Sequence, residues 1–449
     1  MEKGRAILVK ENMLKSTKTS NQARPKAARV TRKQADGKKK EIRRVSRRQK
    51  TRKKKLRQTS RSEMARQRRG ARGLDEKTLR RVSASAFGTL LHHKQVLSIA
   101  LVTLGVIYTV KMTIHAIGAA MAGVRGAIPK HGIKQVDRFM SNDKLKPVDL
   151  RRGLVWAVVG ERKQIEVTMD WTDFDRDDQT TLVLSLVLRH GRAIPLVWLN
   201  ERKSDLKDRR SMHERTAVQE LRHALHDDVR VTLLADRGFG DTKLFDHLLD
   251  IRGFDFIIRF KKCYIVAAAG YAGKAEDAVF NNGRIRVLPG ALLTGDKRGP
   301  YTVVLYKARK MKDSWCLATN LDTLDGKDIV AAYGRRFECE ESFRDLKDWR
   351  FGLALKYTKI SDELRRDRLL FAFALAAYLL TLVGVVSEKL GCDRLLRANT
   401  SKRRTHSLFR QGREIVRGAL PDVLERECMR LVMLKLGAAL EKGFCHALS

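Results

Sequence analysis

Apolar residues along this chain change their spacing several times, and each change marks a different kind of element. From roughly 83 to 158 they recur at helical intervals, as in FGTLLHHKQVLSIALVTLGVI and TIHAIGAAMAGVRGAI, with a break at Pro129–Gly132 before KQVDRFMSND. Short helices joined by tight polar breaks suit a helix-turn-helix DNA reader, and they suit an ordinary helical subdomain as well. At 163 the period becomes two. KQIEVTMDWT alternates as a half-buried strand does, and TTLVLSLVLR and AIPLVWLN follow as a hairpin across HGR. MHERTAVQELRHALHD is an amphipathic helix, RVTLLAD a short buried strand, DTKLFDHLLDIRG a helix ending in glycine and FDFIIRF another strand. This succession predicts a mixed α/β sheet with helices on its faces.

Residues 262–320 carry short β-type stretches (GRIRVLP, YTVVLYKAR, SWCLATN) among Gly-rich turns and read as a β-rich insertion apart from the first sheet. From 325 the pattern is largely helical to the end. Two apolar runs bear on a membrane reading. Residues 96–110 are too short to span a bilayer comfortably. Residues 369–386 (LLFAFALAAYLLTLVGVV) just reach the required length, but charged DELRRDR feeds into them and SEKLG ends them, so a buried core helix is expected. The boundaries that result are a basic disordered arm over 1–82, a helical subdomain that would bind DNA over 83–158 and a first part of the α/β core over 159–261. The β-rich insertion follows over 262–320, the second part of the core over 321–391, and a helical C-terminal region over 392–449.

Charge narrows the partner. The 449 residues include 93 Lys and Arg against 51 Asp and Glu, a formal net charge of +42. A field of that sign draws polyanions, of which nucleic acid is the commonest. Residues 1–81 alone hold 31 Lys and Arg against 7 Asp and Glu, with too little apolar content to pack. That segment reads equally as a nucleic-acid-binding arm or as an upstream extension. The six cysteines are scattered without a CxxC pair, which argues against zinc and disulfide frameworks and suits a reducing cytosol. RGFGD lacks the GK[ST] of a phosphate loop, so no nucleotide cofactor is expected.

Three carboxylates stand out as chemistry. Asp170 is read at the end of the first strand, and Asp236 closes the apolar VTLLAD just before a turn. Ligands of α/β sheets gather beyond strand ends, and an ionised Asp there is costly unless solvated, paired or bound to a metal. In YGRRFECEESFRDLK, Tyr333, Arg336, Glu340 and Lys347 sit at offsets 0, 3, 7 and 14. On a continuous helix they fall within an arc of roughly 80°, while Glu338 and Asp345 point elsewhere. A carboxylate among a Tyr, an Arg and a Lys suits a metal beside a phosphate backbone. A solvated, salt-bridged helix face fits the spacing equally.

The pattern Tyr333, Arg336, Glu340, Lys347 resembles the signature of the DDE transposases of insertion-sequence family four. MDWTDF and LLADRGFGD are similar to that family's first and second aspartate regions, and the likeness runs over roughly residues 83–390. The resemblance implies an RNase H-like catalytic fold in which Asp170, Asp236 and Glu340 are catalytic and bind the metal. Asp170 is preferred over Asp173, Asp175, Asp177 and Asp178 because it joins the strand directly and matches the family's first aspartate. Three carboxylates without a His or Cys cluster favour Mg²⁺ or Mn²⁺, and two such ions would serve strand cleavage and then transfer of the freed 3′-hydroxyl. Tyr333, Arg336 and Lys347 are expected to contact DNA. Trp315, 18 residues before Tyr333, reads either as a core residue or, by the family likeness, as a platform for a flipped-out base. The expected partners are transposon-end and target DNA, met by a homodimer in a bacterial cytoplasm, with no membrane. A catalytically inactive DNA-binding relic and a nucleic-acid-compacting protein are the alternatives.

Overall fold

A computed structural model describes residues 74–109, 111–174, 178–188, 192–340, 355, 358–402 and 404–441, all within the unit Met64–Ser449. The first helix, α1, spans Glu76–Phe87. Asp75 starts it by accepting the Thr78 backbone N–H at 2.8 Å, and Leu79, Val82 and Phe87 are buried along one side. This corrects the expected extent of the basic arm. The Lys and Arg around 76–82 mask a helical apolar repeat that enters the core, so residues 74–82 belong to the folded unit.

Four more helices complete this layer: α2 (His93–Tyr108), α3 (Ile114–Arg125), α4 (Pro129–Met140) and α5 (Pro147–Val159). Gly126, at φ 68°, ends α3, and Pro129 opens α4 three residues on, so the pair forms a tight helix–turn–helix.

Ten strands follow in one sheet: β1 (Gln164–Phe174), β2 (Gln179–Leu188), β3 (Arg192–Arg202), β4 (Arg230–Ala235), β5 (Phe254–Arg259), β6 (Ile265–Ala268), β7 (Tyr271–Lys274), β8 (Ile285–Leu293), β9 (Arg298–Tyr306) and β10 (Trp315–Thr319). Their spatial order is β3-β2-β1-β4-β5-β10-β9-β8-β6-β7. The first five strands make an RNase H-like core. β1–β3 form an antiparallel meander, and β4 and β5 run parallel to β1, connected by α6 (Arg210–Ala224) and α7 (Thr242–Leu249). The insertion does not stand apart from this sheet, contrary to the sequence reading. β10 pairs antiparallel with β5 (Leu317↔Arg259, Thr319↔Ile257) and β9 with β10, so the insertion extends the core sheet across the edge that β5 would otherwise expose.

The apolar run of 369–386 lies in α9 (Glu363–Lys389), whose apolar window is wholly buried. It packs between β3 and α2 as a core helix, with α10 (Leu408–Val416) and α11 (Asp422–Glu441) against its far end. Gly384 and Gly412 let α9 and α10 cross with backbones touching. A Cβ on Gly412 would collide with the Leu380 carbonyl oxygen, and one on Gly384 with that of Leu408.

The charged start of α9 fixes the layers to each other. Arg151 of α5 reaches Asp367 at 3.1 Å and holds both oxygens of Glu220 at 2.9 and 2.8 Å. Asp367 also accepts from Asn200 of β3, and burial pushes its carboxyl up to about 6 against the opposing pull of Arg151. Arg368 donates to the carbonyls of Leu145 and Met140 at 3.0 and 2.7 Å, and the Arg366 guanidinium lies 4.5 Å over the Phe174 ring. Buried charges of this kind specify register more than they add stability, because desolvation offsets most of the attraction.

Removing one partner leaves the other charge uncompensated. Asp367→Ala should therefore lower stability by about 3–5 kcal/mol, seen as a reduced urea midpoint at unchanged m-value. Glu220→Gln, which removes the more exposed carboxylate, should cost distinctly less, and equal losses would show that burial does not set the cost. The position of α1 generates a second expectation. A chain lacking residues 1–73 should keep its thermal midpoint but show a shallower salt dependence of DNA binding. One lacking 1–82 should unfold earlier, since Leu74, Leu79 and Val82 are lost from the core.

Candidate active site

β1 and β4 run parallel, and their last paired residues are Met169 and Ala235. The next residues are Asp170 on β1 and Asp236 after β4. Two carboxylates are thus brought to neighbouring positions at the point where the parallel ladder ends. The two strands behave differently beyond it. β4 stops, and Asp236 turns the chain, its Oδ1 accepting the Gly238 N–H at 2.7 Å. β1 continues to Phe174 paired with β2 alone (Asp170↔Val183), so Asp170 lies inside a strand instead of ending it as expected. The neighbouring acids are otherwise engaged: Asp173 accepts from Thr180 at 2.7 Å and pairs with Lys203 at 2.9 Å, and Asp178 accepts from Ser204 at 2.8 Å. Asp175 and Asp177 lie outside the described residues.

Period-two alternation puts Glu166, Thr168 and Asp170 on one face of β1. That face is covered by α8 (Gly326–Gly334) and the residues after it. Asp325 caps α8, accepting from Lys327 and Asp328 at 2.7 and 2.9 Å. Ile329, Ala332 and Tyr333 then pack onto Leu234, Ile257, Val304 and Leu317 as a small second core. Core and insertion strands therefore support the same helix.

α8 does not continue as the straight helix expected through the signature. It ends at Gly334, and the chain tightens into i→i+3 bonds, with Arg335 N–H to Ala332 O at 3.1 Å, Arg336 N–H to Tyr333 O at 3.0 Å and Cys339 N–H to Arg336 O at 3.2 Å. The two arginines at this turn are each drawn down to β1. Arg335 pairs with Glu166, and Arg336 lies 3.8 Å from Asp170 and 2.7 Å from Glu340. The first half of the signature stripe consequently faces inward. Tyr333 and Arg336 are 1% and 6% exposed, whereas Glu340 is exposed; Lys347 lies outside the described residues.

The electrostatics tie the three carboxylates together. Burial pushes the Asp170 carboxyl up to about 6, Arg336 opposes the rise, and repulsion from Asp236 and Glu340 adds to it. Burial works against the charge of Arg336, but Tyr333, Glu340 and Asp170 outweigh it and the guanidinium stays charged. Sequence reasoning missed two neighbours. The Cys339 Sγ lies 3.7 Å from Asp170, its thiol pushed well up by burial and by that carboxylate; its place directly before Glu340 was the available signal. From the opposite side of the sheet, Glu214 of α6 accepts the Trp171 indole N–H at 3.0 Å, and its carboxyl is raised first by burial and also by Asp241 and Asp236.

Trp315 opens β10 directly opposite Tyr306. Its ring meets the edge of Tyr333 at 4.8 Å between centroids and stacks on Phe337 at 6.0 Å and 28°. It is half-buried beside the second core, and Phe337 beyond it is exposed. Packing and a partly accessible ring coexist here.

Among the described residues, no three His, Cys, Asp or Glu side chains stand close enough to share a metal ion. The donor set nonetheless fits a hard divalent cation: carboxylates that repel one another, with a guanidinium standing as the cation between two of them.

No curated protein matches the chain. Residues 205–379 match the family model described as the transposase DDE domain. The matched stretch includes Asp236, Trp315, Tyr333, Arg336 and Glu340, and it begins after Asp170. Two-fifths of the chain is thus similar to the catalytic domain of DDE transposases, and that likeness supports a transposase.

Proposed function

We propose that this chain is a DNA transposase of the type found in insertion-sequence family four, acting on transposon ends and on target DNA. One observation carries the reading. The β1–β4 register sets Asp170 beside Asp236, and Arg336 links Asp170 to Glu340. Asp170, Asp236 and Glu340 would hold Mg²⁺ or Mn²⁺, which when bound activates water or a 3′-hydroxyl and neutralises the leaving oxygen.

The chain's own groups do the positioning. Arg336 offers a planar, permanently charged fork suited to bidentate phosphate contact. Tyr333, anchored in the second core, supports that fork from below: its backbone carbonyl accepts the Arg336 N–H at 3.0 Å. The Phe337 ring, with the Arg336 guanidinium 4.6 Å above it, walls the site on its exposed side. Lys347 is assigned to the DNA backbone next to the scissile phosphate. End recognition is assigned to α4. Lys130, Lys134 and Arg138 are exposed at i, i+4 and i+8 on this second helix of the helix–turn–helix, a stripe that suits one groove wall of a duplex. A homodimer would bring two such chains to the two ends.

Asp170→Ala, Asp236→Ala and Glu340→Ala should each abolish Mg²⁺-dependent cleavage of an end-bearing duplex while gel-shift affinity survives. Near-normal cleavage by any one of them removes that residue from the site. Trp315→Ala should act at two levels. Losing contacts to Tyr306, Tyr333 and Phe337 should cost about 2 kcal/mol, below the range for a fully buried aromatic. If Trp315 also stacks a displaced base, a contact of about 1–3 kcal/mol, product analysis at a temperature where the variant is folded should show normal nicking but slowed later steps. Parallel loss of nicking and later products assigns Trp315 to packing alone.

A further inference from the structure

We infer that Arg336 is an internal counter-cation that keeps divalent metal out of the site until a DNA phosphate draws its guanidinium away. The inference rests on the transposase reading above and assigns its site a means of regulation. Arg336 does two things at once. Its Nη2 hydrogen-bonds Glu340 at 2.7 Å, and its Nη1 stands 3.8 Å from Asp170, close enough for attraction and too far for a hydrogen bond. A guanidinium wedged between two carboxylates neutralises them and also keeps them apart. Among the described residues, no trio of such side chains stands close enough for an ion.

The wedge is built to be displaceable. Its Nε is buried without a hydrogen-bond partner, a cost that a better-placed acceptor would remove. The guanidinium lies against Phe337, which is 42% exposed, and its partner Glu340 has a side chain 51% exposed. The way out toward solvent is therefore short and lined by a ring face and a carboxylate. A phosphate at the mouth of the site offers the fork two oxygens, in place of one hydrogen bond and one distant contact. Once the fork moves there, Asp170 and Glu340 lose their cation while repulsion from Asp236 remains, and a divalent ion becomes the favoured replacement. Metal and DNA binding are then coupled, each strengthening the other by the same factor. An enzyme that cuts phosphodiesters would in this way load its metal only where DNA is present.

The test is Mn²⁺ binding to the full-length protein without DNA, by calorimetry or by the electron paramagnetic resonance signal of free Mn²⁺. Arg336→Gln should bind Mn²⁺ more tightly than the native chain, by about tenfold, a typical coupling between linked sites. Arg336→Lys keeps the charge without the fork and should fall between them; it answers the question alone if the Gln variant fails to fold. A short linear duplex should tighten Mn²⁺ binding to the native protein and add little for Arg336→Gln. Equal Mn²⁺ affinity in native and variant proteins, or equal tightening of both by DNA, overturns the gate. Asp170→Asn separates this failure from that of the underlying reading. If it leaves Mn²⁺ binding intact, the carboxylates are not the metal site and both conclusions fall together. If it abolishes binding while Arg336→Gln does nothing, the metal site stands and only the gate is lost.

Discussion

The parallel pairing of β1 with β4 is the constraint on which the site depends. Strand side chains alternate with a period of two, so a slip of one residue would turn Glu166, Thr168 and Asp170 to the opposite face. They would then point away from α8, and Arg335 and Arg336 would lose their partners on β1. The register resists such a slip because both faces of the sheet are buried, with Val167 and Met169 in the main core and Leu234 in the smaller one. Packing on two sides thus determines the position of Asp170 more firmly than any contact its own carboxylate makes.

The insertion takes part in the same logic. If its strands formed a separate module, α8 would rest only on β4 and β5. Because β10 joins β5, Val304 and Leu317 of the insertion lie in one apolar surface with Leu234 and Ile257, and Tyr333 sits on all of them. Trp315, at the start of β10, then touches the edge of Tyr333, so the insertion ends within van der Waals reach of the signature turn.

Much of this was legible in the chain itself. The switch from helical spacing to alternation at 163 marks the helix-to-sheet boundary, and the short buried runs RVTLLAD and FDFIIRF mark the parallel strands. Asp170 and Asp236 read as carboxylates at apolar strand ends, which alone selects neither; the likeness to DDE transposases is what singles them out. Other features depend on contacts between distant segments. The basic residues of 76–82 hid a helix that only the core reveals, and the joining of β10 to β5 requires knowing where a strand edge is open. The helix breaks at Arg335 and Arg336, which pair with Glu166 and Asp170, 169 and 166 residues earlier, and no local period can show that. The same holds for Cys339 and Glu214, each ordinary in sequence and placed beside the site by the fold.

What remains is why so basic a chain should bury its own acids. A carboxyl moved from its ordinary value of 3.8 to about 6 has its ionised form disfavoured by about 3 kcal/mol. This is stability forgone near neutral pH, of the size of a large single substitution. The excess of cations elsewhere does not relieve it, because exposed charges beyond about a Debye length are screened. Only a cation within the site can do so; Arg336, attached, singly charged and reached from one side, already offsets part of the burial cost, and about 3 kcal/mol is what its pull leaves. A divalent ion supplies twice the charge to the same oxygens but must shed water to enter. On the proposed reading, the arginine would suit a resting state and the ion a working one, and a phosphate would be the group to exchange them, since it binds both.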